Sequence, residues 1–529
     1  MFTVFLLGCF SDTRFYMKRF ICDLKKEFHG YNGKKLVSDL MAGITVAAVA
    51  LPLALAFGVS SGATAASGLL TAIISGLIIA ALGGAFYQIS GPTGAMAAIL
   101  MSIVATYGMG GVFCATVMAG IMLVLCGILH IGKLTAFIPM PVITGFTSGI
   151  AITIALGQLD NFLGVTSSGS SALEKVASYF AVGITPNITA VIIGLAVILF
   201  MVFYPKKLNA IVPSSLVSII LATAASMIFS LPVDTVGEIP KTIFLDQRLS
   251  LSDFKLDNIK TLISPAISIA ALGMVESLLC GASAGRMTGV KLNADRELIA
   301  QGIGNIAAPF FGGIPATAAI ARTSVAIKSG AQTRLCGIFH SLFILASMLL
   351  LGPIMAKIPL SALSGVLLVT SWRMNEWETI KYIFSHKFKG GMVKFLVTMI
   401  ATIVFDLTVA IIIGVVIALV LTVAKLSKLD INTSDSDGEE TTVHICGAMI
   451  FANTESIEEM LDTLSQKKNV TFCLDGVSLI DISGAKEFLS LCEQLHDRGV
   501  AIKIDGAVDS VSKMLDRSGI ASLLDAWTD

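Results

Sequence analysis

Long apolar segments are the feature that most constrains what this chain can fold into. Of its 529 residues, 55% are apolar and 14% are charged. Apolar runs repeatedly approach the ~20 residues that a helix needs to cross a bilayer. The hydrocarbon interior offers no water to backbone groups, so such segments pair their backbone internally as helices. The sequence therefore predicts a polytopic α-helical membrane protein.

The apolar segments fall into two series of seven, separated by a polar stretch at residues 232–262. Because seven is an odd number, two consecutive repeats of this size lie in the membrane with opposite orientations. We therefore predict a membrane domain at residues 36–427 with fourteen transmembrane segments in two inverted repeats. The segments are 39–60, 63–84, 92–107, 110–130, 134–158, 187–204 and 213–231, then 263–283, 297–311, 315–328, 334–357, 359–372, 391–406 and 407–427.

Basic residues beside these segments predict the orientation of the chain. Cytoplasmic loops of membrane proteins carry an excess of lysine and arginine. An even number of crossings returns the chain to the side on which it began. We therefore expect residues 1–35 to form a cytoplasmic N-terminal segment, both termini to be cytoplasmic, and the protein to lie in the plasma (inner) membrane. The basic residues before the first segment are Lys18, Arg19, Lys25, Lys26, Lys34 and Lys35.

The composition changes after Lys428, where the last apolar segment ends. Residues 428–440 are rich in Ser and Asp, which is typical of a linker. The following residues alternate strand-like stretches such as TTVHICGAMIFA with amphipathic helical stretches such as SGAKEFLSLCEQLHDRG. This pattern predicts an acidic linker at 428–440 and a cytoplasmic α/β domain at 441–529.

Two segments rich in small residues occupy matching positions in the two halves. SGPTGAMAAIL (90–100) and GIPATAAIART (313–323) each begin the third span of a half, with Pro92 or Pro315 at the mouth of a predicted short helix. In inverted repeats two such helices meet head to head near the midplane, so their unpaired N–H groups and positive dipole ends converge. This arrangement favours an anion site, although each proline could instead kink an ordinary helix.

Arg322 and Glu276 are charges within predicted membrane segments, where each charge costs about 2.5–3.5 kcal/mol or more. Helical spacing places Arg322 about 10 Å beyond Pro315, below the anion site or, alternatively, snorkelling beside Lys328 at the cytoplasmic interface. Glu276 can couple transport by taking up a proton or a cation before the anion binds. The alternatives for Glu276 are a static ion pair with Arg322 or a carboxyl group kept protonated for packing.

Several long motifs resemble the SulP anion transporters, whose animal relatives include the prestin-like anion exchangers. The resemblance covers nearly the whole chain from about Leu36. It implies fourteen segments in inverted repeats of seven, a division into core and gate domains, a homodimer, and an elevator-like movement of the core. The motifs are DLMAGITVAAVALPLALAFG, ISGPTGAMAAIL, FIPMPVITGFTSGIAI, MVESLL and NADRELIAQGIGNIAAPFFGGIPATAAIARTS, and DGVSLIDISGAKEFL resembles a STAS domain.

The resemblance also implies where the anion binds, namely between the N-termini of the third and tenth segments, with Glu276 as the coupling residue. Two positions depart from the pattern of the relatives. Leu53 stands where many of them have glutamine, and Cys280 stands where sodium-coupled bicarbonate relatives have a hydroxyl group. The residues that would line the site are Phe57, Thr93, Gly94, Ala319, Ala321 and Arg322.

These observations predict a secondary active transporter of small anions such as bicarbonate, sulfate or a dicarboxylate. A glutamate without obvious cation-ligand neighbours favours proton-coupled symport over sodium coupling, because hard cations prefer several oxygen ligands. Sodium-coupled bicarbonate symport, anion exchange, an anion channel and a voltage-responsive anion binder are the alternatives. A further alternative is a membrane anchor whose tail functions in signalling.

The sequence lacks the motifs of other functional classes. The six histidines are scattered, and the sequence has no HExxH, Walker or GxSxG motif, so we expect no enzyme activity, metal or cofactor. Acidic and basic residues balance at 36 each, which gives no support for nucleic-acid binding. In the tail, Ser483 stands at a helix entry, where it is either a phosphorylation site, as in related anti-sigma-factor antagonists, or a simple N-cap. We also expect a cytoplasmic partner for this tail.

Overall fold

The computed structural model describes residues 20–132, 139–167, 172–182, 185–209, 212–250, 256–405, 407–426, 428–436 and 440–520. The chain forms two compact units, Met1–Gly414 and Val415–Asp529. The first unit is built of helices and contains one two-stranded sheet. The second unit contains a five-stranded sheet with helices.

The first half of the membrane unit begins with helices that have recognisable caps. Asn32 caps the first helix by accepting a hydrogen bond from the Lys35 amide, and Thr64 caps the second by accepting one from the Ser67 amide. A strand, β1 (Ser90–Gly91), precedes the third helix. The helices are α1 Gly33–Ser60, α2 Ala65–Leu82, α3 Gly94–Ile128, α4 Met140–Gly157, α5 Leu159–Leu163, α6 Ala172–Val182, α7 Ile188–Phe203, α8 Lys206–Asn209 and α9 Ser214–Ile228.

The second half repeats this order with a strand before its third long segment. A 3₁₀ turn, Ala308–Phe311, and strand β2 (Thr317–Ala318) separate its second helix from its third. The helices are α10 Leu256–Thr288, α11 Ala294–Ala307, α12 Ile320–Lys328, α13 Leu335–Met355, α14 Leu360–Met374, α15 Trp377–Ser385, α16 Lys389–Val404 and α17 Leu407–Leu426.

Six of the helices in the described residues are long and apolar enough to cross a bilayer, and three shorter apolar helices accompany them. The remaining predicted spans are short or interrupted. The third and fourth predicted spans lie in α3, on either side of Gly108, whose non-helical backbone (φ 67°, ψ −176°) breaks the helix where the sequence separates the two spans. The tenth span begins later than predicted, at Ile320 instead of Pro315.

Glycines allow the helices of this unit to approach at backbone distance. A Cβ atom on Gly302 of α11 would lie 2.5 Å from the carbonyl oxygen of Gly120 on α3, and a Cβ on Gly120 would lie 2.7 Å from the carbonyl oxygen of Gly302. Gly68 of α2 packs in the same way against the carbonyl of Ala54 on α1. Close packing of small residues is a main source of helix association in a bilayer.

The described part of the N-terminal segment is attached to residues at the ends of two helices of the same unit. Glu27 accepts hydrogen bonds from the amide of Arg334 at 2.8 Å and from its Nε at 2.9 Å. Asp23 forms an ion pair with Arg296 at 2.9 Å. Residues 20–27 are helical and dock onto the unit through these two contacts.

The second unit is an α/β domain, as the sequence predicts. The sheet order is β3-β4-β5-β7, with β6 paired to β4; β3 is antiparallel to β4 and the other pairs are parallel. Helices pack against the sheet through a core that includes Val443, Phe472 and Phe488. The elements are β3 Asp430–Ser436, β4 Glu440–Met449, β5 Asn469–Cys473, β6 Val477–Ile480 and β7 Ala501–Asp505, with α18 Thr454–Glu458, α19 Met460–Leu464, α20 Ile482–Asp497 and α21 Asp509–Ser518.

The structure corrects the prediction of an acidic linker at 428–440. Within those residues, β3 pairs in register with β4, from Asp430 opposite Cys446 to Ser436 opposite Glu440. The polar composition of β3 suits a strand at the edge of the sheet, where charged side chains are common. The sheet of the tail therefore begins about ten residues earlier than the composition indicates.

We predict that Gly302→Ala destabilises the protein by about 1–3 kcal/mol, the usual cost of overpacking a tight contact. The added methyl group would meet the backbone of Gly120 and Val124, which cannot move without separating α3 from α11. The matched control is Gly390→Ala, because a Cβ there meets nothing within 4 Å. Thermal unfolding in detergent measures the difference, and equal melting temperatures for the two variants would contradict the packing argument.

Candidate functional site

Two short strands join the two halves of the membrane unit at its centre. β1 and β2 are antiparallel, with Ser90 opposite Ala318 and Gly91 opposite Thr317. The amide of Ala319 extends this pairing by donating to the carbonyl of Ile89 at 3.0 Å. The strands satisfy backbone groups that would otherwise be unpaired in an apolar interior.

Each of these strands leads into the N-terminus of a helix. Thr93 is the N-cap of α3, and its hydroxyl oxygen accepts from the amide of Met96 at 3.4 Å. Ala319 is the N-cap of α12 and has no side chain that can cap the helix. Because β1 and β2 are paired, the two helix N-termini lie close to one another.

The first turns of both helices present backbone amides without acceptors among the described residues. In α12 these are the amides of Ile320, Ala321 and Arg322, since the first bond of the helix is donated by Thr323 to Ala319. In α3 the amides of Gly94 and Ala95 precede the first such bond. Unpaired N–H groups at the positive end of a helix dipole form a site for an anion.

Arg322 is buried in the first turn of α12, with 1% of its surface exposed. Its Nη2 donates to the carbonyl of Pro92 at 2.8 Å, so it reaches across to the segment that precedes α3. The prediction that Arg322 lies about 10 Å below the site is therefore wrong, because α12 begins five residues after Pro315. The snorkelling alternative is also wrong, since the guanidinium group is buried and points toward Pro92.

Gly91 allows this position of the guanidinium group. A Cβ on Gly91 would lie 2.9 Å from Nη1 of Arg322, and the φ angle of Gly91 is 156°. Nη1 has no hydrogen-bond acceptor among the described residues. One donor of Arg322 is thus fixed by the backbone and another is available beside the two helix N-termini.

Glu276 contacts the N-cap residue of α3. Its Oε2 accepts from the hydroxyl of Thr93 at 3.1 Å, and its carboxyl group also interacts with the hydroxyl of Thr317. No ion pair within 4.0 Å joins Glu276 to Arg322 among the described residues. The static ion pair considered from the sequence is therefore absent, and Glu276 is held by hydroxyl groups.

Phe57 and Gly94 meet at the mouth of α3. A Cβ on Gly94 would lie 3.0 Å from Cε1 of Phe57 and 2.3 Å from Cδ1 of Ile154. Ile154 is on α4, which the motifs did not bring into the site. The sequence gave no signal for this contact, because Ile154 is one of many apolar residues in a membrane helix.

The six site-lining residues are thus distributed between the two helix N-termini. Phe57, Thr93 and Gly94 are buried on the α3 side. At the start of α12, Ala319 is half-buried and Ala321 is exposed. Arg322 joins the two sides through its bond to Pro92. The structure places these residues at or next to the two helix N-termini, and their role in binding an anion stays a prediction.

Further polar residues hold the strands and were not predicted. The hydroxyl of Thr323 accepts from the amide of Ile89 at 3.0 Å and from Sγ of Cys280 at 3.2 Å. The side chain of Gln301 donates to Oγ of Ser90 at 3.0 Å. These residues position the strand pair, and Cys280 makes its contact with Thr323 and not with Glu276.

In the second unit, Ser483 is an exposed residue in the first turn of α20. It is not the N-cap, because that position belongs to Asp481, whose side chain accepts from the amide of Gly484 at 2.8 Å. The N-cap interpretation of Ser483 is therefore wrong. Phosphorylation of Ser483 stays a prediction.

Comparison with known families gives two matches along the chain. Residues 36–401 match the model of the sulfate permease family, and residues 428–528 match that of the STAS domain. A Bacillus subtilis protein named putative sulfate transporter YvdB is 33% identical over 93% of this chain and 96% of its own length. The bicarbonate transporter BicA of a Picosynechococcus strain is 29% identical over 92% of this chain and 91% of its own length.

Solved structures share the fold. The transmembrane domain of a cyanobacterial BicA matches with a TM-score of 0.67 at 30% identity, over 72% of this chain and 98% of that chain. The murine anion transporter Slc26a9 in the inward-facing state matches with a TM-score of 0.82 at 18% identity, over 92% of this chain and 88% of that chain. These matches confirm the predicted fold class, a multi-pass membrane domain of fourteen segments in inverted repeats followed by a STAS domain.

We predict that Arg322→Ala weakens anion binding at least tenfold, equivalent to about 1.4 kcal/mol. Loss of the guanidinium removes positive charge and frees the carbonyl of Pro92 to repel an anion. Isothermal titration calorimetry of the purified protein with sulfate and with bicarbonate measures the change. Lys328→Ala, at the exposed end of the same helix, is the control and should bind as the unaltered protein does. Equal anion affinities of the two variants would contradict a role for Arg322 in the anion site.

Proposed function

This chain belongs to the sulfate permease family, and we propose that it is a secondary active transporter of small anions. The family consists of transporters and not of enzymes, which agrees with the sequence. One observation carries the proposal for this chain. The N-termini of α3 and α12 meet at the paired strands β1 and β2, with Arg322 bonded across them.

The chemistry of this place suits an anion. Backbone amides of two helices and one guanidinium group offer donors, while apolar Phe57 and Ile154 limit the access of water. Backbone amides bind an anion through hydrogen bonds but carry no full positive charge. The anion is therefore bound and can also be released. Those two properties, binding and release, are what a carrier needs.

Glu276 is the residue that we assign to coupling. A carboxylate beside an anion site opposes anion binding by charge repulsion, and a bound proton removes that repulsion. Thr93 connects the two processes, because its hydroxyl bonds to Glu276 while it caps the helix that offers amides to the anion. Proton-coupled symport follows from this arrangement if the anion binds better when Glu276 is protonated.

Sodium coupling is a second candidate with its own supporting observation. The hydroxyl groups of Thr93, Ser277 and Thr317 lie close to Glu276, and Oγ of Ser277 is 3.2 Å from Oγ1 of Thr317. Oxygen atoms of this kind are ligands that hard cations accept. Against it, Cys280 bonds to Thr323 and supplies sulfur where sodium-coupled relatives have oxygen.

The substrate class rests on the relatives and on the backbone amides of the site. The named relatives include proteins called sulfate transporters and bicarbonate transporters. Backbone amides bind either of these anions, and also a dicarboxylate. We therefore propose bicarbonate, sulfate or a small dicarboxylate as the cargo.

The wider setting of the transporter is part of the same proposal. We place it in the plasma (inner) membrane with both termini in the cytoplasm, as a homodimer whose core moves like an elevator against its gate. The STAS domain would then contact a cytoplasmic partner. The basic residues before the first helix and those of the loops support this orientation.

We predict that Glu276→Gln abolishes accumulation of the anion driven by a proton gradient. Proteoliposomes with an imposed inward proton gradient and no sodium are given radiolabelled bicarbonate, sulfate and fumarate in separate assays. The unaltered protein should accumulate one of them above equilibrium. Glu276→Gln should lose that accumulation, while the control Glu238→Gln, an exposed acidic residue in the polar stretch between the repeats, should keep it.

The outcomes separate the candidate mechanisms. Accumulation that requires sodium instead of protons would replace proton symport with sodium symport. Uptake that is stimulated by anion on the opposite side and ignores both gradients would indicate exchange. Flux that neither saturates nor shows this stimulation would indicate a channel and contradict the proposal of a carrier.

A further inference from the structure

The sheet of the second unit has one face turned to its helices and one face turned away from them. Val443 and Ile445 of β4 and Phe472 of β5 point into the core with α18–α21. Successive side chains in a strand alternate between faces. Residues 444 and 473 therefore lie on the face opposite to that core.

Three residues of neighbouring strands lie in one row on this outer face. His444 of β4 is the register partner of Cys473 of β5, and Cys473 is the register partner of Asp505 of β7. Asp475 follows Cys473 by two residues, where β5 has ended. An imidazole, a thiol and two carboxyl groups are thus gathered at one end of the parallel strands.

The ligand atoms of three of these residues are close together. A nitrogen of His444, Sγ of Cys473 and a carboxylate oxygen of Asp475 all lie within 4.8 Å of one another. Sγ of Cys473 is 3.4 Å from Oδ1 of Asp475. Bound to one zinc ion at 2.0–2.3 Å, such ligands would be roughly 3.5 Å apart, which modest side-chain rotations achieve.

The chemistry of the set selects a particular class of ion. Thiolate and imidazole together favour zinc over magnesium or calcium, which prefer oxygen ligands throughout. Three protein ligands leave a fourth tetrahedral position for water. Asp505 lies one strand away and can accept a hydrogen bond from that water.

We propose that His444, Cys473 and Asp475 form a zinc-binding site on the outer face of the STAS domain. The ion would join the end of β5 to the middle of β4 and so hold two strands of the sheet together. This site is separate from the anion site and does not depend on the transport mechanism. The zinc site lies in the domain in which the sequence predicts a modification site, Ser483, but no ligand.

Binding has a defined proton balance. The backbone amide of Asp475 lowers the pKa of the Cys473 thiol, but burial and the carboxylates of Asp475 and Asp505 raise it, and the net direction is upward. The thiol is therefore protonated at neutral pH before the ion binds. Formation of the zinc–sulfur bond releases one proton to solvent, and His444 binds as the neutral imidazole.

The test uses the full chain in detergent under reducing conditions, with Co²⁺ as a spectroscopic probe and Zn²⁺ as the competitor. Tetrahedral cobalt bound to thiolate gives a charge-transfer band in the near ultraviolet. We expect one equivalent of Co²⁺ to produce this band and Zn²⁺ to remove it. Zinc affinity, measured by competition with a chromogenic chelator, should fall at least tenfold in Cys473→Ser and in His444→Asn.

The control is Cys446→Ser. Cys446 is two residues beyond His444 on the same strand, and its Sγ packs against the backbone of Gly476. This variant should keep both the band and the affinity. Size-exclusion profiles verify that each variant is folded. If Cys473→Ser does not fold, the result for His444→Asn decides the test. Absence of the band in the unaltered protein, or its survival in folded Cys473→Ser or His444→Asn, would overturn the proposal.

Discussion

The antiparallel pairing of β1 with β2 is the interaction on which the membrane unit depends. An apolar interior cannot satisfy the backbone groups of an interrupted helix with water, so two interruptions must satisfy one another. Ser90 and Gly91 pair with Ala318 and Thr317, and the bond from Ala319 to Ile89 completes the exchange. The same pairing fixes the two helix N-termini side by side. An anion site is therefore a geometrical consequence of the way the two halves satisfy their backbones.

A cationic side chain in the first turn of α12 is unfavourable in its own helix, because that end of the helix dipole is already positive. The structure offsets this cost with the carbonyl of Pro92, which accepts from Arg322 at 2.8 Å. Glu276 accepts a hydrogen bond from the hydroxyl of Thr93, the residue that follows Pro92. A positive and a negative group thus bond to adjacent residues, and no ion pair joins them among the described residues. A bound anion and a bound proton would each change the electrostatic energy of the other, which is the requirement for coupling.

The sequence predicted the number and grouping of the membrane segments and the α/β tail, because apolar runs and motifs are local signals. It placed the start of the tenth segment at Pro315, since proline is common in the first turn of a helix. The helix begins at Ile320 instead, because Thr317 and Ala318 pair with a strand more than 200 residues earlier in the chain. No local pattern reports such a pairing. The same reason explains β3, whose polar composition indicated a linker until its pairing with β4 was known.

The sequence also did not predict that Ile154 contacts Gly94. This contact arises from the packing of α4 against α3. That contact differs from the contact between α3 and α11. Gly120 and Gly302 bring backbone against backbone, whereas Gly94 meets the side chains of Ile154 and Phe57. A backbone contact at this distance cannot slide without steric overlap, but a flexible side-chain tip can change rotamer. Of these two contacts, the one beside the anion site is therefore the one that a rotamer change can release.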